Sequence, residues 1–160
     1  MKGMALILSI EVYWIIVALI LGFVEAYYFY HVNNSQEPKG KKYDHAWLTI
    51  IRALIAIPII YIVCLIHWSM GICTLLYMML IFPFVHDGMY FISANELTPG
   101  AYKDGWEQDQ DGRAFIDFTY KTRKILALIA MGIGVVQMVL LSIIPHINEI
   151  PLPWSTGYIS

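Results

Sequence analysis

Long apolar runs dominate the chain, and short polar segments separate them. Four runs, at about residues 5–28, 47–66, 70–90 and 125–144, each hold about the twenty residues that a helix needs to cross ~30 Å of hydrocarbon. The runs lack the period-two alternation of half-buried strands and are too long for strands. The pattern therefore predicts an all-α integral membrane protein, a four-transmembrane-helix bundle that forms a single membrane domain over residues 1–160.

Polar segments at about 31–46 and 93–124 separate the first run from the second and the third run from the last. Only a few residues around His67 separate the second and third runs, which predicts a tight antiparallel hairpin. The stretch Arg113–Lys124 is free of Gly and Pro and carries several aromatic residues. These features predict a short amphipathic interfacial helix before the last span.

The distribution of basic residues predicts an orientation, because an excess of Lys and Arg marks the cytoplasmic face of a membrane protein. With four spans, both termini and the hairpin share one side, where Lys2 is the basic residue. The polar segments hold eight basic residues: Lys39, Lys41, Lys42, Lys103, Arg113, Lys121, Arg123 and Lys124. We therefore expect segments 31–46 and 93–124 to be cytoplasmic and both termini to lie outside.

Composition agrees with a lipid environment. The chain is 59% apolar, and its charged fraction of 14% is well below the roughly 25% of an ordinary soluble domain. The net charge of −2 gives no basic face for nucleic acid. The expected partners are the lipid bilayer and either further copies of the chain or a larger membrane complex, with no nucleic acid.

Ionisable residues collect at the predicted cytoplasmic ends of the first three spans, although such residues are costly in a membrane and need a reason. The combination of His, Asp and Glu from three helices is typical of a site for a divalent metal such as Zn, Fe or Mn. The candidate ligands are Glu25, His45, His86 and Asp87, with His31 and Asp44 as secondary candidates. Adjacent residues point about 100° apart on a helix, so one member at most of each adjacent pair faces a given site squarely.

Two other interpretations of these residues remain open. Carboxylates and histidines at helix ends can reach water by snorkelling, with Arg52 neutralised by Glu25 or Asp87. Alternatively, the residues form part of a proton or ion pathway. Arg52 lies seven residues after His45 and therefore on nearly the same helix face. In each case we expect Arg52 to face inward as a charge partner, because it lies about two turns inside its span.

A second acidic pattern lies in the segment Glu107–Gly112. With Glu107, Asp109 and Asp111 at alternate positions and glycine at the sixth, it resembles the first half of an EF-hand calcium loop. The glutamate expected at the twelfth position is Phe118 here. A solvated acidic turn is the competing interpretation.

Small residues line one side of the last span. Ala127, Ala130 and Gly134 follow one another at three- and four-residue spacing, which permits close packing of helices. The strip serves either packing within the chain or association of several chains, and Gln137 adds an interhelical hydrogen-bond donor.

Three classes of function are compatible with this pattern, and none of the common nucleotide-binding or hydrolase motifs is present. The first is a metal-binding protein or metal-dependent membrane enzyme, whose site at the interface would suit an amphipathic substrate. The second is a structural or accessory membrane subunit, including a membrane-lesion protein, without a catalytic site. The third is a subunit of an oligomeric transporter or channel. Whether the chain is an enzyme stays open at this point.

Overall fold

The computed structural model describes residues 2–34, 45–100, 102, 104–109 and 118–143, and its regular structure within these residues is entirely helical. The α-helices are α1 (Lys2–Asn34), α2 (His45–Ile66), α3 (Trp68–Leu97) and α4 (Tyr120–Ile143). A single turn of 3₁₀-helix at Gly105–Glu107 lies between α3 and α4. The expectation of an all-α protein is confirmed for this part of the chain.

Three helical segments are long and apolar enough to cross a membrane: Met4–His31, Trp68–Leu97 and Tyr120–Ile143. The predicted second span corresponds to α2, in which Ile50–Leu65 forms a shorter apolar stretch. Large apolar side chains cover the outer faces of the helices, and Leu54 is 63% exposed. Such surfaces are stable against hydrocarbon, as expected for a membrane protein.

Helix α3 lies at the centre and contacts α1, α2 and α4. Helix α1 runs parallel to α3, since its Trp14 donates a hydrogen bond to the Met78 carbonyl (3.0 Å) and Gly22 lies against His86. Helix α2 runs antiparallel to α3 after the break at His67, whose Nδ1 accepts a hydrogen bond from the Ser69 amide (3.3 Å). The predicted hairpin is therefore present.

Helix α4 also runs antiparallel to α3. Near its C-terminal end, the buried Gln137 donates to the Met70 carbonyl (3.3 Å) and to Thr74 Oγ1 (3.0 Å). At its N-terminal end, the Arg123 guanidinium lies 5.3 Å from the centre of the Phe91 ring. The inward face recurs every three or four residues and consists of Arg123, Ala127, Ala130, Gly134, Gln137 and Leu141. The predicted strip of small residues therefore packs within the chain.

A close approach of α1 to α3 was not predicted. Ala18 and Ala26 are fully or almost fully buried, and Gly22 lies between them at four-residue spacing. A Cβ atom on Gly22 would lie 2.4 Å from the His86 carbonyl oxygen and 3.1 Å from the Tyr90 amide nitrogen. Backbone contact at this distance requires glycine, because any side chain would hold the two helices apart.

Helix α4 begins at Tyr120, earlier than the predicted span, which starts near Ile125. Thr119 Oγ1 accepts a hydrogen bond from the Thr122 amide (3.2 Å), which is the geometry of an N-cap. The interfacial helix predicted over Arg113–Lys124 falls partly on residues 113–117, which lie outside the described residues. Its described end, from Tyr120, forms the first turn of α4.

Candidate functional site: a polar cluster between three helices

Three helices bring four of the predicted site residues together. Glu25 comes from α1, Arg52 from α2, and the adjacent His86 and Asp87 from α3. We refer to these four residues as the polar cluster. The contact of Gly22 with the His86 backbone explains how Glu25 reaches His86, because Glu25 lies three residues further along the same face of α1.

The centre of the polar cluster is a triangle of three atoms. Arg52 Nη2 donates a hydrogen bond to Glu25 Oε1 and lies 3.1 Å from His86 Nε2. His86 Nε2 in turn lies 3.1 Å from Glu25 Oε1. The other ring nitrogen, Nδ1, lies 2.8 Å from Asp87 Oδ1. Both nitrogens of His86 therefore have a protein partner.

Burial increases from Arg52 towards His86. The side chain of Arg52 is 27% exposed, whereas those of Glu25 and His86 are 7% and 6% exposed. Phe82, one turn before His86, stacks on the imidazole with the ring centres 4.7 Å apart. The Arg52 guanidinium lies over the same Phe82 ring at 4.8 Å. The cation is thus held by a carboxylate and by an aromatic face, both of which stabilise it.

A second buried guanidinium, that of Arg123, lies near the Asp87 carboxylate. Arg123 is fully buried and donates through Nη2 to the backbone carbonyls of Trp106 (3.3 Å) and Gln108. Asp87 and Asp109 are the carboxylates close enough to attract it electrostatically. Glu25 and Asp87 thus each have a guanidinium near them, Arg52 and Arg123 respectively, and oppositely charged neighbours reduce the cost of burying each charge.

The segment around the 3₁₀ turn covers α3 beside the polar cluster. The Trp106 ring occupies the space beside Gly88, where a Cβ atom would lie 2.1 Å from Trp106 Cε2. The same ring packs on Phe84 with the ring centres 5.6 Å apart. The sequence analysis placed Arg123 in the predicted interfacial helix over Arg113–Lys124 and did not predict this packing. Gly88 could have indicated this packing, because it is a glycine inside a helix and adjoins the candidate site residue Asp87.

The described geometry does not collect a set of metal ligands. No group of three or more His, Cys, Asp or Glu side chains among the described residues is placed to hold a metal ion. Arg52 supplies a positive charge at the point between Glu25 and His86 where a metal would have to lie. Metal binding by Glu25, His45, His86 and Asp87 stays a prediction, and it would need Arg52 to move away from Glu25 and His86.

The other candidate ligands lie elsewhere or outside the described part. His31 is exposed, and its ring packs on Tyr27 of its own helix, with the centres 4.3 Å apart. His45 begins α2, and its side chain lies outside the described residues, as does Asp44. The structure therefore brings four of the seven ionisable candidates into one neighbourhood: Glu25, Arg52, His86 and Asp87.

The calcium-like segment is described only in its first half. Glu107 ends the 3₁₀ turn, and Asp109 Oδ1 accepts a hydrogen bond from the Tyr120 amide (2.5 Å). Asp109 thus binds the first turn of α4, where a carboxylate is favourable because of the helix dipole. Asp111 lies outside the described residues, and calcium binding stays a prediction.

Comparison with known proteins identified no relative of this chain. No protein-family model, no curated protein and no solved structure matches the chain. Inference about function therefore rests on the geometry described above.

Proposed function

We propose that this chain is a structural or accessory membrane subunit with four spans, in which the polar cluster joins three helices and has no catalytic role. The observation that carries this proposal is the position of Arg52. Its Nη2 atom is within hydrogen-bond distance of both Glu25 and His86, so the chain supplies its own cation where a metal-dependent enzyme would hold its metal. Ligation would instead need the ligand atoms ~2.0–2.2 Å from a common point.

A neutral His86 is consistent with this role. In the tautomer that carries its proton on Nδ1, His86 donates to Asp87, and its Nε2 accepts from Arg52. Glu25 then receives its hydrogen bond from Arg52. In this tautomer no lone pair of the imidazole is free for a substrate proton or a metal.

The helix directions support four spans. Helix α2 has 22 residues, which is about 33 Å of helix and enough to cross ~30 Å of hydrocarbon. Helices α1 and α3 run parallel, with α2 and α4 antiparallel to them, which is the alternation of an up-and-down bundle. The polar cluster then lies towards the end that carries the polar segments. By the distribution of Lys and Arg we assign that end to the cytoplasm.

Such a cluster suits an interhelical link in lipid. A lone cation costs up to ~2.5–3.5 kcal/mol in a span on insertion scales, so the pairing of Arg52 with Glu25 stabilises the contact of α2 with α1. Separation of α2 from α1 and α3 would leave Arg52 and Glu25 unpaired. The cluster therefore favours one arrangement of the three helices over others.

Metal content distinguishes this proposal from the metal-dependent enzyme. The protein is purified in detergent from medium supplemented with Zn, Fe and Mn, and the metals are quantified by mass spectrometry. We expect less than one tenth of an equivalent of each metal per protein. The Arg52→Lys variant is the matched control: it keeps the positive charge and should give the same low metal content. One equivalent of any of these metals, lost in a Glu25→Gln variant, would refute the proposal.

A further inference from the structure

A groove lies between α1, α3 and α4, far from the polar cluster and near the N-terminal end of α1 and the C-terminal end of α4. Its volume is about 540 Å³, and it is open to the outer surface of the protein. Its lining is almost entirely apolar, with the side chains of α4 recurring every three or four residues. The lining residues are Leu8, Glu11, Tyr77, Met131, Gly134, Val135, Met138, Val139 and Ser142.

Glu11 is the one ionisable carboxylate in this lining, and it is 6% exposed. Its Oε1 atom has no hydrogen-bond partner among the described residues. Both carboxylate oxygens face Gly134, at 3.4 and 3.5 Å from the position of a Cβ atom there. Two hydroxyl groups belong to the lining besides Glu11: Ser142 donates its proton to the Val139 carbonyl (2.7 Å), and Tyr77 makes no hydrogen bond to Glu11. The groove thus holds a buried acceptor that no described donor serves.

The size of the groove decides what kind of occupant fits. From Met131 to Ser142 the lining extends over about 16 Å at 1.5 Å per residue. The volume lies in the range of roughly 300–1,000 Å³ that is typical of small-molecule sites. A single extended alkyl chain matches both the length and the apolar lining.

We propose that this groove binds a lipophilic primary ammonium compound from the bilayer, with the ammonium group on the Glu11 carboxylate and the alkyl chain along α4. This inference goes beyond the structural role proposed above and does not depend on it. An ammonium group supplies both the hydrogen-bond donor and the positive charge that Glu11 lacks. A neutral or anionic amphiphile of the same length supplies no positive charge, and an anionic one repels the carboxylate.

Binding of radiolabelled dodecylamine to the protein in phosphatidylcholine nanodiscs tests this proposal, with empty nanodiscs as background. We expect saturable binding that unlabelled dodecylamine displaces and that dodecanol or dodecanoate displaces at least tenfold less well. This comparison uses the unmodified protein, so it does not depend on the folding of a variant. Absence of saturable binding, or equal displacement by dodecanol, would overturn the proposal.

Three variants then locate the site. Glu11→Gln keeps the shape of the side chain and is expected to weaken binding at least tenfold. Val135→Trp fills the groove from a position that is 63% exposed, and it should abolish binding. Val136→Trp is the matched control, since Val136 is 54% exposed and does not line the groove. Equal binding by the two tryptophan variants would place the ligand elsewhere and contradict the assignment.

Discussion

Removal of Arg52 is the sharpest perturbation of the polar cluster. In an Arg52→Met variant, Glu25 keeps a buried carboxylate without its guanidinium, and the contact of the cation with Phe82 is lost. Removing one partner of a buried ion pair costs ~3–5 kcal/mol. Because the Arg52 side chain is 27% exposed, water can reach part of the site, and we expect the lower end of that range, about 3 kcal/mol.

A double-mutant cycle isolates the pair from the loss of packing. The variants are Arg52→Met, Glu25→Gln and both together, and the assay is reversible unfolding in mixed micelles with increasing SDS, followed by circular dichroism. Because each single variant leaves one buried charged group without its partner, we expect the double variant to lose ~1–3 kcal/mol less than the sum of the two single losses. Lys121→Met, which removes an exposed cation at the start of α4, is the control and should change stability by less than ~0.5 kcal/mol. Additive losses, or an Arg52→Met variant as stable as the control, would refute the reasoning.

Three further predictions use the same unfolding assay or hydrogen exchange. Gly22→Ala should destabilise the fold by ~1–3 kcal/mol, because the new Cβ meets the backbone of α3. Gly132→Ala, with open space around the new Cβ, should be neutral or stabilising, and equal effects of the two variants would contradict the close approach of α1 to α3. Gln137→Leu removes the donor to the Met70 carbonyl and should cost ~0.6–1.7 kcal/mol, and an unchanged stability would show that this bond contributes nothing. Gly88→Ala should displace Trp106 and speed hydrogen exchange over residues 104–109 by mass spectrometry, and unchanged exchange would contradict the packing of that segment on α3.

The features that follow from solvation were predictable from the sequence. Long apolar runs favour helices in lipid, and composition alone indicates that α1, α3 and α4 are long and apolar enough to cross a membrane. The inward orientation of Arg52 follows from the cost of a cation in hydrocarbon, and its pairing with Glu25 was among the predicted alternatives. These predictions need only the composition of a run and the position of a charged residue within it.

Features that depend on two distant segments meeting were not predictable in this way. The contact of Gly22 with His86 depends on how α1 packs against α3. In the sequence, Gly22 cannot be distinguished from a glycine on an outer helix face such as Gly132, whose Cβ position has no atom within 4 Å. Arg123 was predicted at an interface, and its burial was missed because its carbonyl partners, Gln108 and Trp106, lie 15 and 17 residues earlier in the chain. Such contacts leave no periodic signal in the sequence.

The central claim is that the cation of the polar cluster is the Arg52 guanidinium itself. Solid-state NMR of the labelled protein in lipid bilayers measures the distance from the Arg52 Nη nitrogens to the Glu25 carboxyl carbon, with Arg52→Lys to identify the signal among the three arginines of the chain. A hydrogen bond between the two groups predicts a distance below about 4 Å. A distance beyond about 6 Å, well outside hydrogen-bond range, would show that Arg52 does not close the cluster and would contradict the account.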